Sequence, residues 1–317
     1  MNQKMKAMVI YEPGGPEKFV LEEREILNVK EGWTLVKIKG FGINHSEIFT
    51  RKGLSPTVQF PRILGIECVG QVVETTRRDL QIGQKIVSIM GEMGRAFDGS
   101  YAEYALLPNE QIYPVDSQLP WSELAVVPET YYTAFGSFKN LQIKEGDSIL
   151  VRAATSGVGL AFLKLVKAQF PQNRVVGAVR SLAKKQQGFD EIILDEKGVL
   201  QTEEKFDKIL ELVGPATLKN SFDHIQSAGI ICNTGQLGGK WYVEEFDPIV
   251  EIKNNSFLTS FYSGNVSQQL IDELFSYIDA YQINLSSQRI FSLEQILAAH
   301  SYIESQVGFG KMVVLND

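Results

Sequence analysis

Ser148-Ile149-Leu150-Val151-Arg152-Ala153-Ala154-Thr155-Ser156-Gly157-Val158-Gly159, running on through apolar sequence to Gln169, decides the fold. The uninterrupted apolar run at its head suits a strand covered on both faces, and Gly157 to Ala168 reads as an apolar helix. Arg174-Val175-Val176-Gly177-Ala178-Val179 follows as the next strand, which completes one strand–helix–strand unit of a parallel sheet. Between strand and helix, small residues stand where a backbone must approach a pyrophosphate, and the amides of a helix start are natural anion donors. Set against the dinucleotide pattern G-x-G-x-x-G, the matching positions are Ala154, Ser156 and Gly159, so two glycines give way to other small residues. A tight turn in any doubly wound sheet would also use small residues, but the two flanking apolar strands favour the nucleotide reading.

About twenty residues beyond such a turn, an NAD site carries an Asp or Glu for the adenosine ribose. This chain has Val179 there, followed by Arg180-Ser181-Leu182-Ala183-Lys184-Lys185. Cations at a helix start oppose the helix dipole, so they need another reason to be there. A 2′-phosphate supplies it. The expected cofactor is therefore NADPH, held by Ala154, Thr155, Ser156, Gly157, Val158 and Gly159 at the turn and by Arg180, Ser181 and Lys184 at the ribose.

Outward from this unit the alternation repeats. Strands are expected at Ile192 to Leu194, Lys208 to Val213, Gly229 to Asn233 and Phe257 to Tyr262, with helices at Tyr132 to Leu141 and Ala216 to Gln226. Ligands collect outside the carboxyl ends of such strands, so Thr234 and Gly235 should approach the ribose or nicotinamide. Phe261 should face nicotinamide or substrate, or serve as an aromatic plug. The first third is different: Lys6 to Tyr11, Trp33 to Lys39, Val69 to Glu74 and Lys85 to Ile89 read as strands among many glycines, as in a small barrel. The tail offers amphipathic stretches at Val266 to Tyr281 and Leu293 to Gln306, then a closing strand Lys311 to Leu315.

With 317 residues the chain should form two lobes and a cleft. A net charge of -7 disfavours nucleic acid and anionic lipid as partners, and no apolar run approaches a membrane span, so a cytoplasmic protein with a small-molecule substrate is expected. The two cysteines, Cys68 and Cys232, lie in apolar runs and read as reduced core residues.

Gly42-Ile43-Asn44-His45-Ser46-Glu47, Pro61 to Glu67, Gly99 to Tyr104, Ala153 to Leu160, Glu211-Leu212-Val213-Gly214 and Gly310 to Leu315 together resemble the medium-chain dehydrogenase/reductase superfamily, in its zinc-independent quinone oxidoreductase branch. The resemblance spans nearly the whole chain. It implies an α/β protein with a GroES-like β-rich catalytic domain from residues 1–122 and 266–317, and a Rossmann domain, a doubly wound parallel sheet, from 123–265. It also implies a homodimer, a cofactor stretched across the cleft, and cofactor contacts from Thr133 and Val213. Where alcohol dehydrogenase relatives carry their catalytic zinc, the first Cys matches Asn44 and a His matches Ile66. Neither is a usual zinc ligand, and no metal is expected.

Without a Lewis acid for a simple alkoxide, feasible acceptors are those that delocalise charge themselves: quinones and α,β-unsaturated carbonyls. Asn44 is the expected catalytic donor to the developing oxygen, or the holder of the nicotinamide ribose, with a turn-stabilising Asn as its plainer role. Phe49 stands where many quinone oxidoreductases have a Tyr, which removes that phenol from proton delivery. Phe49, Tyr132 and Phe261 are expected pocket residues, with core packing as the other reading of Tyr132, and Lys311 is expected to reach the 2′-phosphate or to be a solvated residue that opens its strand. His45 and Glu47 read as surface or capping residues. Two alternatives remain, an enoyl-thioester reductase of the same fold and a non-catalytic NADPH-binding or sensing protein.

Overall fold

The computed structural model describes residues 3–182, 188–305 and 309–316, so Lys184 lies outside the described residues. The chain divides into two compact units: Met1–Glu129 with Ser263–Ser276 and Leu285–Asp317, and Thr130–Tyr262 with Tyr277–Asn284. The first division falls after Glu129 rather than after residue 122. Tyr277 goes with the second unit, where its hydroxyl donates to the Leu165 carbonyl at 2.8 Å and its ring lies 5.4 Å from Phe135.

The second unit is built on a seven-stranded sheet in the order Val199–Leu200, Glu191–Glu196, Val175–Val179, Ile149–Arg152, Phe206–Glu211, Ile225–Asn233, Phe257–Ser260. All neighbours are parallel except the short Val199–Leu200 strand. Counted along the chain without that strand, the order is third, second, first, fourth, fifth, sixth, the arrangement of a dinucleotide-binding sheet. Winding reverses between Ile149–Arg152 and Phe206–Glu211, the point at whose carboxyl ends sheets of this kind take their ligands. Both central strands are apolar because both faces are covered: Ile149, Leu150, Val151, Ile209 and Leu210 are fully buried. The helix Gly157–Gln169 meets the helix Tyr132–Leu141 through Phe162 and Phe138, whose rings lie 6.5 Å apart. The helix expected over 216–226 is only Leu218–Asp223, because Ile225 already opens the next strand beside Phe206.

The first unit holds a three-stranded sheet of Phe19–Glu25, Lys4–Ile10 and Arg62–Ile63. Its larger sheet runs Arg289–Ser292, Met312–Leu315, Trp33–Gly42, Glu67–Thr75, Lys85–Ile89, Tyr113–Pro114, with Tyr104–Pro108 also paired to Trp33–Gly42. Val36, Ile38, Phe41, Ile86 and Val314 meet in its core. The register Val313 opposite Gly42 brings the last strand against the segment that leads into the helix His45–Arg51. Sequence arithmetic alone cannot supply that pairing, and it builds the polar cluster of this unit.

Candidate functional site

The turn after Ile149–Arg152 is sharp: Ala153 adopts φ +56°, and the Ser156 amide donates back to its carbonyl at 3.0 Å. Ser156 is the N-cap of the helix Gly157–Gln169, its hydroxyl accepting from the Gly159 amide at 3.1 Å. The amides of Gly157 and Val158 stand in the first turn of this helix, where backbone donors commonly lack an intrahelical acceptor. Gly159 is required by packing, since a Cβ there would stand 2.6 Å from the Ala154 carbonyl oxygen. Helix and strand approach as closely as the third glycine of a dinucleotide turn permits. Thr155 is half-buried beside them, and Ala154 is buried against the second strand, where its amide donates to Ala178 at 3.1 Å. Arg180 and Ser181, just past that strand, are exposed.

The neighbouring strand ends are organised by a group that sequence reading passed over. Arg152 is fully buried at the switch point, with Nη2 2.6 Å and Nε 3.1 Å from Asp195 Oδ2. Its remaining donors reach the carbonyls of Thr217 and Gly198 and the side chains of Asn220 and Ser221, all between 3.1 and 3.2 Å. Glu211 lies beside it, 3.7 Å from Nε, and accepts from the amides of Val213 at 2.8 Å and Gly214 at 3.0 Å. The Val213 loop is thereby clamped, and the Thr234 and Gly235 amides both donate to the Glu211 carbonyl. A Cβ on Gly235 would lie 2.0 Å from the Leu212 oxygen, so that loop needs its glycine.

Thr234 is joined to the helix of Thr133. Its hydroxyl meets Ser137 Oγ at 2.8 Å, and Ser137 donates to the Thr133 carbonyl at 2.8 Å. Phe261 packs 5.6 Å from the Tyr132 ring and over Gly136, where a Cβ would stand 2.1 Å from it. The structure thus brings Tyr132, Thr133, Thr234 and Phe261 together in one unit.

Asn44, Phe49 and Lys311 belong to the other unit. Asn44 occupies the N-cap position of His45–Arg51 but makes no side-chain cap. Its Oδ1 accepts from Lys311 Nζ at 2.6 Å, and its Nδ2 donates to Glu67 Oε1 at 2.9 Å. Lys311 is buried and 2.5 Å from Glu67 Oε1, so its ammonium is ion-paired inside this unit. The other Glu67 oxygen accepts from the Glu129 amide at 2.7 Å. Gly42 makes room for the pair, since a Cβ there would lie 2.0 Å from Lys311 Cε and 2.4 Å from Glu67 Oε1. Phe49, on the same helix as Glu47, is half-buried.

Glu47 corrects an expectation. It is 1 % exposed rather than on the surface, while His45 is exposed. Burial pushes its carboxyl up to about 7, the charge of Glu67 adds to the rise, and Lys311 opposes it. The signal that would have found this cluster was Glu67 itself, an acid inside the apolar run Leu64 to Val69, where a charge has to be paired. Ile66 and Cys68 flank it, both buried, with the Cys68 thiol pushed up to about 12 by burial. Among the described residues, no three His, Cys, Asp or Glu side chains gather into a metal-holding group, and no helix is long and apolar enough to cross a membrane.

Residues 30–117 match the Alcohol dehydrogenase GroES-like domain, and residues 187–314 match the Zinc-binding dehydrogenase family. A quinone oxidoreductase of Pseudomonas aeruginosa is 25% identical across 95% of this chain and 97% of its own length. A 2-haloacrylate reductase of a Burkholderia species is 25% identical across 98% of each. In fold, the chain is similar to the quinone oxidoreductase of Coxiella burnetii, with TM-score 0.83 and 22% identity over 99% of this chain and 100% of the other.

Proposed function

Because this chain belongs to the medium-chain dehydrogenase/reductase family, we propose that it is an NADPH-dependent oxidoreductase that reduces a quinone or an α,β-unsaturated carbonyl without a metal. The observation that carries the reading is the capped glycine turn at the switch point of the parallel sheet, followed by Arg180 and Ser181 where an NAD site would hold an acid. Bound NADPH supplies a hydride from nicotinamide C4.

The chain's own residues supply the rest. The Gly157 and Val158 amides hold the pyrophosphate. Arg180, Ser181 and Lys184 bind the 2′-phosphate, and the Val213 and Thr234 loops with Thr133 orient the ribose and nicotinamide. Asn44 donates an N–H to the oxygen on which charge develops, and Phe49, Tyr132 and Phe261 keep the acceptor dry. Metal independence rests on residue types: Asn44 and Ile66 stand where zinc-dependent relatives hold ligands, and the Lys311 ammonium already neutralises Glu67.

Steady-state NADPH oxidation with a panel of quinones, enones and enoyl thioesters tests the function. We expect quinone or enone turnover with NADPH preferred over NADH, and a lost preference in Arg180→Ala/Lys184→Ala. Turnover of enoyl thioesters alone would move the assignment to a thioester reductase, and tight NADPH binding with no turnover would make the protein a cofactor sensor. Equal affinity for both cofactors in the unmodified chain would sink the 2′-phosphate assignment.

The homodimer is part of the same proposal. Phe257–Ser260 is the outer strand of its sheet, with Phe257 59% and Leu258 38% exposed, and an edge of this kind pairs with its own copy about a two-fold axis. Sedimentation equilibrium should give a dimer that Phe257→Lys/Leu258→Lys converts to monomer. A monomeric unmodified chain would refute it.

A further inference from the structure

The Asn44 amide is held by three charged side chains, and only two of them are firmly engaged. Lys311 Nζ donates to Oδ1 at 2.6 Å, which fixes the orientation of the amide, because the reverse would set its N–H groups against the ammonium. One N–H then goes to Glu67 Oε1 at 2.9 Å. The same nitrogen has Glu47 Oε1 at 3.4 Å, longer than the roughly 2.7–3.2 Å of an ordinary N–H···O bond, as the acceptor within reach of its second N–H. Glu47 is as poorly served. Its Oε1 also has the Ile66 amide at 3.4 Å, its own backbone amide acts on the carboxyl as well, and its Oε2 is buried without a partner. A carboxylate offers about four lone-pair sites, so an oxygen left bare and long contacts to the other suit the neutral acid.

We infer that Glu47 controls whether Asn44 can donate: as a neutral acid it leaves the second amide N–H to the acceptor oxygen, and as a carboxylate it takes that N–H for itself. The inference rests on the proposed donor role of Asn44. The charged and titratable groups around Glu47 come from several elements. Lys311, on the last strand, favours its ionised form, and Glu67, on the strand Glu67–Thr75, disfavours it. The Tyr101 hydroxyl, within electrostatic reach of both acids, is engaged with His300 Nε2 at 2.9 Å. Arg51, on Glu47's own helix, is committed to the Gly14 carbonyl and to Glu304. Because burial places the Glu47 transition at about 7, Asn44 should be an available donor below neutral pH and a sequestered one above it. Glu47 would thus be a positioning residue that confers pH sensitivity on the reduction.

The experiment follows the side-chain amide of Asn44 in the full chain, labelled with 15N-asparagine and assigned by the signal lost in Asn44→Ser, from pH 5 to pH 9. In the unmodified chain one amide proton should shift with a midpoint near 7, and in Glu47→Gln it should stay in place. Persistence of the shift in Glu47→Gln, or no shift in the unmodified chain, overturns the inference. In quinone reduction, kcat/KM should fall about tenfold per pH unit above the midpoint, while Glu47→Gln stays flat. Matching pH profiles in the two proteins also overturn it. If no acceptor is turned over at any pH, the reductase reading fails by itself and the amide titration decides the coupling of Glu47 to Asn44.

Discussion

Each unit of this protein buries a basic side chain with two carboxylates, and the two clusters are finished to different degrees. In the parallel-sheet unit, Arg152 has an acceptor for each of its three nitrogens, and Glu211 spends its oxygens on two backbone amides and the Ser221 hydroxyl. Among the described residues, Asp195 Oδ1 is the one side-chain polar atom of this trio without a partner. In the β-rich unit, Lys311 and Glu67 are well paired, but Glu47 keeps a buried oxygen unpartnered and its carboxyl at about 7. Saturation buys rigidity: Glu211 pins the Val213–Gly214 turn, and Arg152 ties together the ends of three strands. Leaving one acid short of donors yields a group whose charge can change near neutral pH.

The contrast is tested most severely by Arg152→Met. Removing the guanidinium leaves Asp195 and Glu211 buried with no counter-charge, a loss of about 3–5 kcal/mol, because the removed partner had compensated their desolvation. Urea unfolding at neutral pH should show that loss, and affinity for a nicotinamide cofactor should fall with it as the Val213 turn loosens. A destabilisation below about 1 kcal/mol, the range of exposed ion pairs, would mean that the cluster relaxes and is not the rigid partner in the comparison.

The sheet around Arg152 was largely legible in the sequence. Strands buried on both faces must be continuously apolar, and the turn between Arg152 and Gly157 has few ways to use small residues. Its charge network was not legible, because Asp195 lies 43 positions away and nothing local marks Arg152 as buried. The β-rich unit was harder to read. Phe19–Glu25 escaped notice because only Phe19 of its seven residues is buried and its partner strand alone defines it. Lys311 looked like a solvated cation reaching for phosphate because Glu67, which claims it, is 244 positions earlier. Glu47 was read as a surface residue for want of a long helix: with seven residues, His45–Arg51 shows too little periodicity to reveal its buried face. Asn44 was singled out in the sequence, but its three charged neighbours follow only from strand register.

The smaller and more discriminating effect belongs to Glu47→Gln. In the folded protein the Glu47 carboxyl is raised to about 7 from its ordinary 4.5, so its contribution to stability is fully present below the unfolded value and is lost as pH rises through the folded one. Gln keeps the shape and the neutral charge at every pH. Between pH 5 and pH 8 the unmodified chain should therefore lose roughly 2–3 kcal/mol relative to Glu47→Gln, with the steepest change between 4.5 and 7. Urea midpoints taken in parallel for both proteins across that range read the difference directly. A constant difference across the range would show that Glu47 does not change charge there, and the unsaturated cluster would then be as fixed as the one around Arg152.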